Sequence, residues 1–135
     1  MSYDITGGAA VVPERGLDRA YVASVTVNYS ILNGGSTAAA EVGTIITIPG
    51  PFFLQQVQWQ VTQVEGAVQT FDVGDSLDPN GWVAAADANA LGSNISTLIT
   101  AGEYYSANES FTITNTQAAD NAIIVVRFLV WDLRY

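Results

Sequence analysis

Apolar and polar residues alternate along most of this chain with a period of two, the spacing of strands rather than helices. In YVASVTVNYSIL (21–32), Tyr21, Ala23, Val25, Val27, Tyr29 and Ile31 share one face, and Ser24, Thr26, Asn28 and Ser30 share the other. That pattern predicts a half-buried strand, ended by the turn signal NGGS (33–36). TIITIP (44–49) predicts a second strand, stopped by Pro49, Gly50 and Pro51. FLQQVQWQVTQV (53–64) alternates most cleanly: Val57, Trp59 and Val61 point one way, and Gln56, Gln58, Gln60 and Thr62 the other. A glutamine ladder is polar but uncharged. It serves either as a solvated sheet surface or as a wet contact surface whose amides bond a partner without burying charge.

Further along, AVQTFDV (67–73) is expected to pair with the glutamine strand as a hairpin across Glu65 and Gly66. The alanine-rich WVAAADANALG (82–92) predicts one short helical turn or an extended arm, with Gly92 as a stop. ISTLIT (95–100) and ESFTITNT (109–116) read as short strands. The last strand, within 121–134, is apolar on both faces, so it is expected at the centre of its sheet or covered by a neighbour. Seven or eight strands with one weak helix predict an all-β fold, an antiparallel β-sandwich of jelly-roll type. Residues 1–18 lack a period and are expected to form an N-terminal arm; residues 19–135 form the single sandwich domain.

Composition sharpens this picture. Of the 135 residues, 49% are hydrophobic and 13% charged, against about 25% charged in an ordinary soluble domain. A domain this small has much surface for its volume, so part of that apolar surface is expected in a subunit interface, with a homotrimer the favoured state. Phe128, Trp131 and Leu133 are candidates for core or interface. No apolar run is long enough to span a membrane, and the N-terminus has no signal-peptide pattern. The chain contains no His, Cys or Lys. That excludes a Ser-His-Asp triad, a Cys-His dyad, a Cys/His zinc site, a Schiff-base lysine and a P-loop lysine. Four arginines against thirteen acids give a net charge of −9, a field that repels nucleic acid and anionic membrane.

The loop FDVGDSLDPNGW (71–82) admits three chemistries. Asp72, Asp75 and Asp78, with Asn80, supply oxygens suited to calcium, although their spacing departs from the EF-hand pattern. A glycosidase pair could be drawn from Asp72, Asp75, Asp78, Asp87, Glu65 and Glu103, but nothing in the spacing fixes one. Turn chemistry accounts for every residue type without a ligand: Asp and Asn bond their own backbone, Gly74 and Gly81 relax it, and Pro79 presets it.

The segment FDVGDSLDPNGWVAAADANALG (71–92), with the later EYY (103–105) and IIVVRFLV (123–130), resembles small structural proteins of tailed bacteriophages. The resemblance implies a virion role without catalysis or cofactor, often head decoration or cement on a β-sandwich, frequently trimeric. Under it the partner is the major capsid protein. The alternatives are a tail, baseplate or fibre module, including one that binds carbohydrate, and a small calcium-dependent glycan-processing enzyme. The −9 charge places such a protein on the outer face of the capsid, away from packaged DNA. The arm carries Tyr3, Ile5, Val11, Val12 and Leu17 beside Arg15 and Arg19. These are the expected interface residues: the apolar ones laid into a neighbour's grooves, the arginines fixing register.

Overall fold

A computed structural model describes residues 19–134, without the side chain of Asn33. Nine strands form: β1 (Arg19–Asn28), β2 (Val42–Ile48), β3 (Phe52–Gln63), β4 (Thr70–Gly74), β5 (Val83–Asp87), β6 (Gly92–Ile95), β7 (Glu103–Tyr105), β8 (Glu109–Asn115) and β9 (Ile123–Asp132). One sheet runs β1-β9-β3, with β6 and β7 both paired along the far edge of β3; the other runs β2-β8-β4-β5. All the pairings are antiparallel. The order is nested: the first strand pairs the last, the second the eighth, the fourth the fifth. The two antiparallel sheets make the expected β-sandwich.

The core lies between the sheets and follows the alternation. Val27, Val57, Val61, Phe71, Phe111, Ile113, Ile124, Val126, Phe128 and Val130 are buried. Aromatic contacts tie the layers together. Trp59 meets Phe71 edge-on at 5.4 Å, and Phe111 packs on Phe128 at 5.1 Å between ring centroids. β9 sits between β1 and β3, as its two apolar faces predict. In β3 the inward face changes phase. Phe52 and Leu54 point in, Gln55 is the extra residue of a bulge, and Val57, Trp59 and Val61 then take the inward positions.

Four expectations need correction. β3 and β4 do not form a hairpin, because β4 belongs to the other sheet. The chain crosses at Glu65, which is buried and whose carboxylate accepts the backbone N–H groups of Asp120 (2.8 Å), Asn121 (3.2 Å) and Ala122 (3.0 Å). That bond set joins the end of β3 to the loop before β9, so the chain has no tight turn there. Gln69 continues the crossing by donating to the carbonyls of Gln117 and Ala118. Second, Val83–Asp87 is a strand and not a helical turn, since its backbone pairs with β4. Third, strand structure stops at Ile95, and most of 95–100 is loop. Fourth, Ile31 is exposed: β1 ends at Asn28, whose Oδ1 accepts the Ser30 N–H, and a 3-10 turn at Leu32–Gly34 follows.

At the far end of β9, Asp132 is buried and receives the Nε and NH2 groups of Arg134 at 2.9 and 3.0 Å. The Arg134 backbone N–H adds a third bond, and Arg19 at the start of β1 lies 3.6 Å away. The Arg134 side chain, chiefly, holds the Asp132 carboxyl down at about 2 from an ordinary 3.8. A folded value below the unfolded one stabilises the fold above the unfolded value and is lost as pH falls through the folded one. We therefore expect thermal stability to drop between pH 4 and pH 2, and Asp132→Asn to flatten that drop while costing about 1 kcal/mol at neutral pH. Melting curves across pH 2–7 for both chains make the comparison; parallel curves would show that the contact carries no linkage.

Candidate interaction surface

The aspartate loop closes one end of the sandwich. Asp75 is buried; its Oδ1 accepts the N–H groups of Leu77 (3.0 Å) and Asp78 (2.9 Å). Its Oδ2 accepts the Tyr105 hydroxyl at 2.8 Å, and that hydroxyl in turn accepts the Trp82 indole N–H at 3.0 Å. Trp82 is fully buried, and its carbonyl accepts the Ser96 hydroxyl. Ser76 donates its N–H and hydroxyl to Glu109, which fastens the loop to β8. Gly74 is required by close approach, since a Cβ there would lie 2.0 Å from the Asp78 carbonyl oxygen. The three calcium candidates do different work. Asp72 accepts the N–H of Ala85, which sits at φ 54 where β5 bulges opposite it. Asp75 organises the turn, and Asp78 lies exposed beside Gly81. Among the described residues no cluster of three or more acids is arranged to hold a metal. Turn chemistry is what these bonds display.

The charges are unevenly spread around this end. Burial, then the nearby Asp75, Glu109 and Asp78, push the Glu103 carboxyl up. Burial chiefly raises the Tyr105 phenol, with Asp75 adding to it, so the hydroxyl remains a donor.

The two outer faces of the sandwich differ in kind. On the five-stranded sheet the register places Ala20, Val22, Ser24, Thr26 and Asn28 beside the outward residues of β9: Trp131, Leu129, Arg127, Val125 and Ile123. Beyond β9 lie Phe53, Gln56, Gln58 and Gln60 of β3, then Tyr104, Ile95 and Ser93. No acid occupies any of these positions, although the chain carries thirteen. Arg127 is the single charge among these positions and donates to Gln60 Oε1 at 3.2 Å. Trp131 donates its indole N–H to Gln55 at 2.7 Å, and Val22 and Tyr104 are each 57% exposed. The opposite face is a hydroxyl field. Thr47 meets Ser110 and Thr70 meets Thr116, at 2.8 and 2.6 Å, with Asp72 and Asp87 as its charges.

The sequence pointed to the glutamine ladder but not to its neighbours. Val22 interrupts the polar face of β1, and the outward residues of β9 other than Arg127 are apolar; together those two signals mark this face. Of the core-or-interface candidates, Phe128 is core, Trp131 lies on the outer face and Leu133 is half-buried. The expected interface residues Tyr3, Ile5, Val11, Val12, Arg15 and Leu17 lie outside the described residues. Arg19 begins β1, paired with Asp132.

No family model and no curated protein matches the chain by sequence. Solved structures do share its fold. A chain of the cyanophage Pam1 capsid asymmetric unit superposes with a TM-score of 0.66 at 18% identity, covering 98% of this chain and 99% of that one. A chain of the capsid of Ralstonia phage GP4 gives 0.65 at 16%, covering 93% and 91%. A chain of the acid-stable capsid of Helicobacter pylori bacteriophage KHP30 gives 0.59 at 14%, covering 85% and 89%. The fold is therefore one that chains of phage capsid structures adopt.

Tyr105→Phe would strand the Trp82 N–H and one Asp75 oxygen in a dry site, at about 1–3 kcal/mol for each group left unpaired. The expected result is a loss of about 2–4 kcal/mol, read as a lowered midpoint in chemical unfolding with an unchanged slope. A variant as stable as the parent would mean that water reaches the site and replaces the phenol.

Proposed function

We propose that the protein is a non-enzymatic decoration or cement protein of a tailed-phage head. It binds the outer surface of the capsid through the five-stranded sheet and steadies contacts between major capsid subunits. The observation that carries this reading is the acid-free sheet face on a sandwich of a kind found in phage capsids. A chain of net charge −9 approaches any protein surface against its own field unless it presents a face cleared of acids. Here that face offers exposed apolar and aromatic groups for burial, glutamine amides for hydrogen bonds, and one arginine for a carboxylate. Interfaces combine the same ingredients: aromatic and Arg anchors with few acids at the centre. The same charge favours the exterior of the shell over the DNA side. The sequence reading adds a trimer, in which neighbouring copies enclose further apolar surface, and an N-terminal segment that contributes to the contact.

The test uses heads that lack the protein. Val22→Asp and Arg127→Glu place acids on the proposed face, and Thr47→Asp places one on the hydroxyl face, at an exposed position where the Ser110 hydroxyl can still donate. We expect the first two to weaken head binding at least tenfold in a sedimentation assay, about 1.4 kcal/mol, with circular dichroism unchanged. The third should bind like the parent. Equal binding by all three would overturn the docking face, and a parent chain that ignores heads would overturn the function. Light scattering reads the oligomer separately, and a monomer at micromolar concentration would sink the trimer.

A further inference from the structure

Three connections meet at the end of β9 opposite Asp132: the one from β1 to β2, the crossing from β3 to β4 at Glu65, and the loop from β8 to β9. Thr37 and Ala119 exchange two backbone bonds of 2.9 Å, and the Tyr29 N–H donates to the Ala122 carbonyl at 2.9 Å. The Glu65 carboxylate gathers the N–H groups of residues 120–122. The Asp120 side chain then turns its own carboxyl onto that same carboxylate. Two acids are therefore in contact, and among the described residues neither is paired with an arginine. Glu65 is buried and Asp120 exposed, and both line a cavity of about 380 Å³ with Ser36 and Asn121, so solvent reaches the pair.

We propose that Glu65 and Asp120 hold one proton between them, and that this proton latches the crossing end of the sandwich in acid and releases it once Asp120 ionises. The donors decide where the proton sits. Glu65 faces three N–H groups, which favour its ionised form, and Asp120 faces a carboxylate, which favours its protonated form. A protonated Asp120 donates its O–H to Glu65 in a charge-assisted bond. When that proton passes to water, two carboxylates are left in contact and attraction becomes repulsion. The other groups around the pair do not take part. Tyr29 faces Glu65 from the end of β1 with a hydroxyl that has no hydrogen-bond partner among the described residues. Burial, then Glu65, push its phenol up to about 12, so it keeps its proton throughout. From the β5 side come the Ala88 carbonyl, which accepts the Glu65 N–H at 3.1 Å, and the Asn89 amide, which accepts the Gly66 N–H at 2.7 Å; neither titrates. The bond to Glu65 chiefly pushes the Asp120 carboxyl up from its ordinary 3.8. Stability from a raised acid is present below its unfolded value and is lost as pH rises through the folded one. Glu65, held below its ordinary 4.5, contributes above that value and is lost as pH falls through its folded one. The latch is thus tightest in mild acid and weakens toward neutrality, whereas the Asp132 clamp at the other end of β9 weakens toward pH 2.

NMR on the full unmodified chain follows the side-chain carboxyl carbons of both residues and the amides of residues 120–122 from pH 2 to pH 8. We expect Asp120 to titrate above 3.8 and above Glu65, with the three amides shifting in the same step. Asp120→Asn supplies a permanent donor in place of the carboxylic acid. At pH 7.5 it should melt at least about 2 °C above the parent, and the gap should close by pH 4. Asp78→Asn removes the same charge from an exposed loop and should stay within about 1 °C of the parent at pH 7.5. An Asp120 carboxyl that titrates at or below 3.8 would overturn the proposal, whatever the variants do. So would an Asp120→Asn gap that is equal at both pH values, or one that Asp78→Asn matches, since net charge would then explain it. Neither readout involves a capsid, so a protein that failed to bind heads would leave this result standing.

Discussion

The backbone ladder of β9 is the constraint on which the rest of the structure depends. It pairs along its whole length with β1 on one side and for most of it with β3 on the other. Every second side chain, from Ile124 to Asp132, is buried between the sheets, and the rest form the middle of the outer face. Two decisions follow from this one strand. Its inward residues fix which residues of β1 and β3 can be core, because a slip of one position would turn Val126 and Phe128 outward. Its outward residues fix the character of the exposed face, because a central strand has no other place for Leu129 and Trp131. The bulge at Gln55 belongs to the same constraint: it lets Phe52 and Leu54 keep the inward side before the phase of β3 changes.

The acids of this protein act largely as clamps on the backbone. Glu65 gathers three successive N–H groups at one end of the sandwich, and Asp75 gathers two at the other while holding the Tyr105–Trp82 pair. Burial pushes the Glu65 carboxyl up, but the Asp120 side chain and the three N–H groups outweigh it, so it is held below the ordinary range. A carboxylate that accepts N–H groups replaces the water it loses, so such burial is tolerated where an unpaired charge is not. Asp72 and Asp132 do similar work at a bulge and at a strand end. Among the described residues, the acids lie at strand ends, in loops, on the hydroxyl face or turned inward, and none takes an outward position on the five-stranded sheet.

How much of this was legible in the sequence depends on the range of the interaction. Alternation is local, and it placed β1, β2, β3, β8 and β9 and the central position of the last. The β3–β4 hairpin failed because Glu65 looks like a turn residue locally. Its real partners are the N–H groups of residues 120–122, more than fifty positions away and carrying no side-chain signature. Of the two readings of residues 82–92, a helical turn or an extended arm, the helical one failed because alanine propensity was outweighed by pairing with β4, where Ala85 adopts a positive φ to face Asp72. The turn bonds of the loop were legible because Asx bonding is local, as Asp75 accepting from Leu77 and Asp78 shows. Its anchor on Tyr105 was not foreseen, since a phenol thirty residues on gives no periodic signal. The acid-free face required the register of four strands at once. Only its glutamine component lay in one stretch.

That face also explains a feature which composition alone leaves odd, a soluble-sized domain with half its residues apolar and strong charge of one sign. Spread evenly, −9 would keep the molecule dispersed but would oppose every contact with protein. Among the described residues the acids lie off the outward side of one sheet, so that side is where the chain's own charge opposes an approaching protein least. Orientation is then set by what the other faces exclude as much as by what this one attracts. Arg127, the lone cation among Gln58, Gln60 and Ser24, sits where a carboxylate on the opposing surface would be desolvated last and matched directly. A surface built this way favours one orientation of approach over the others without needing many strong contacts.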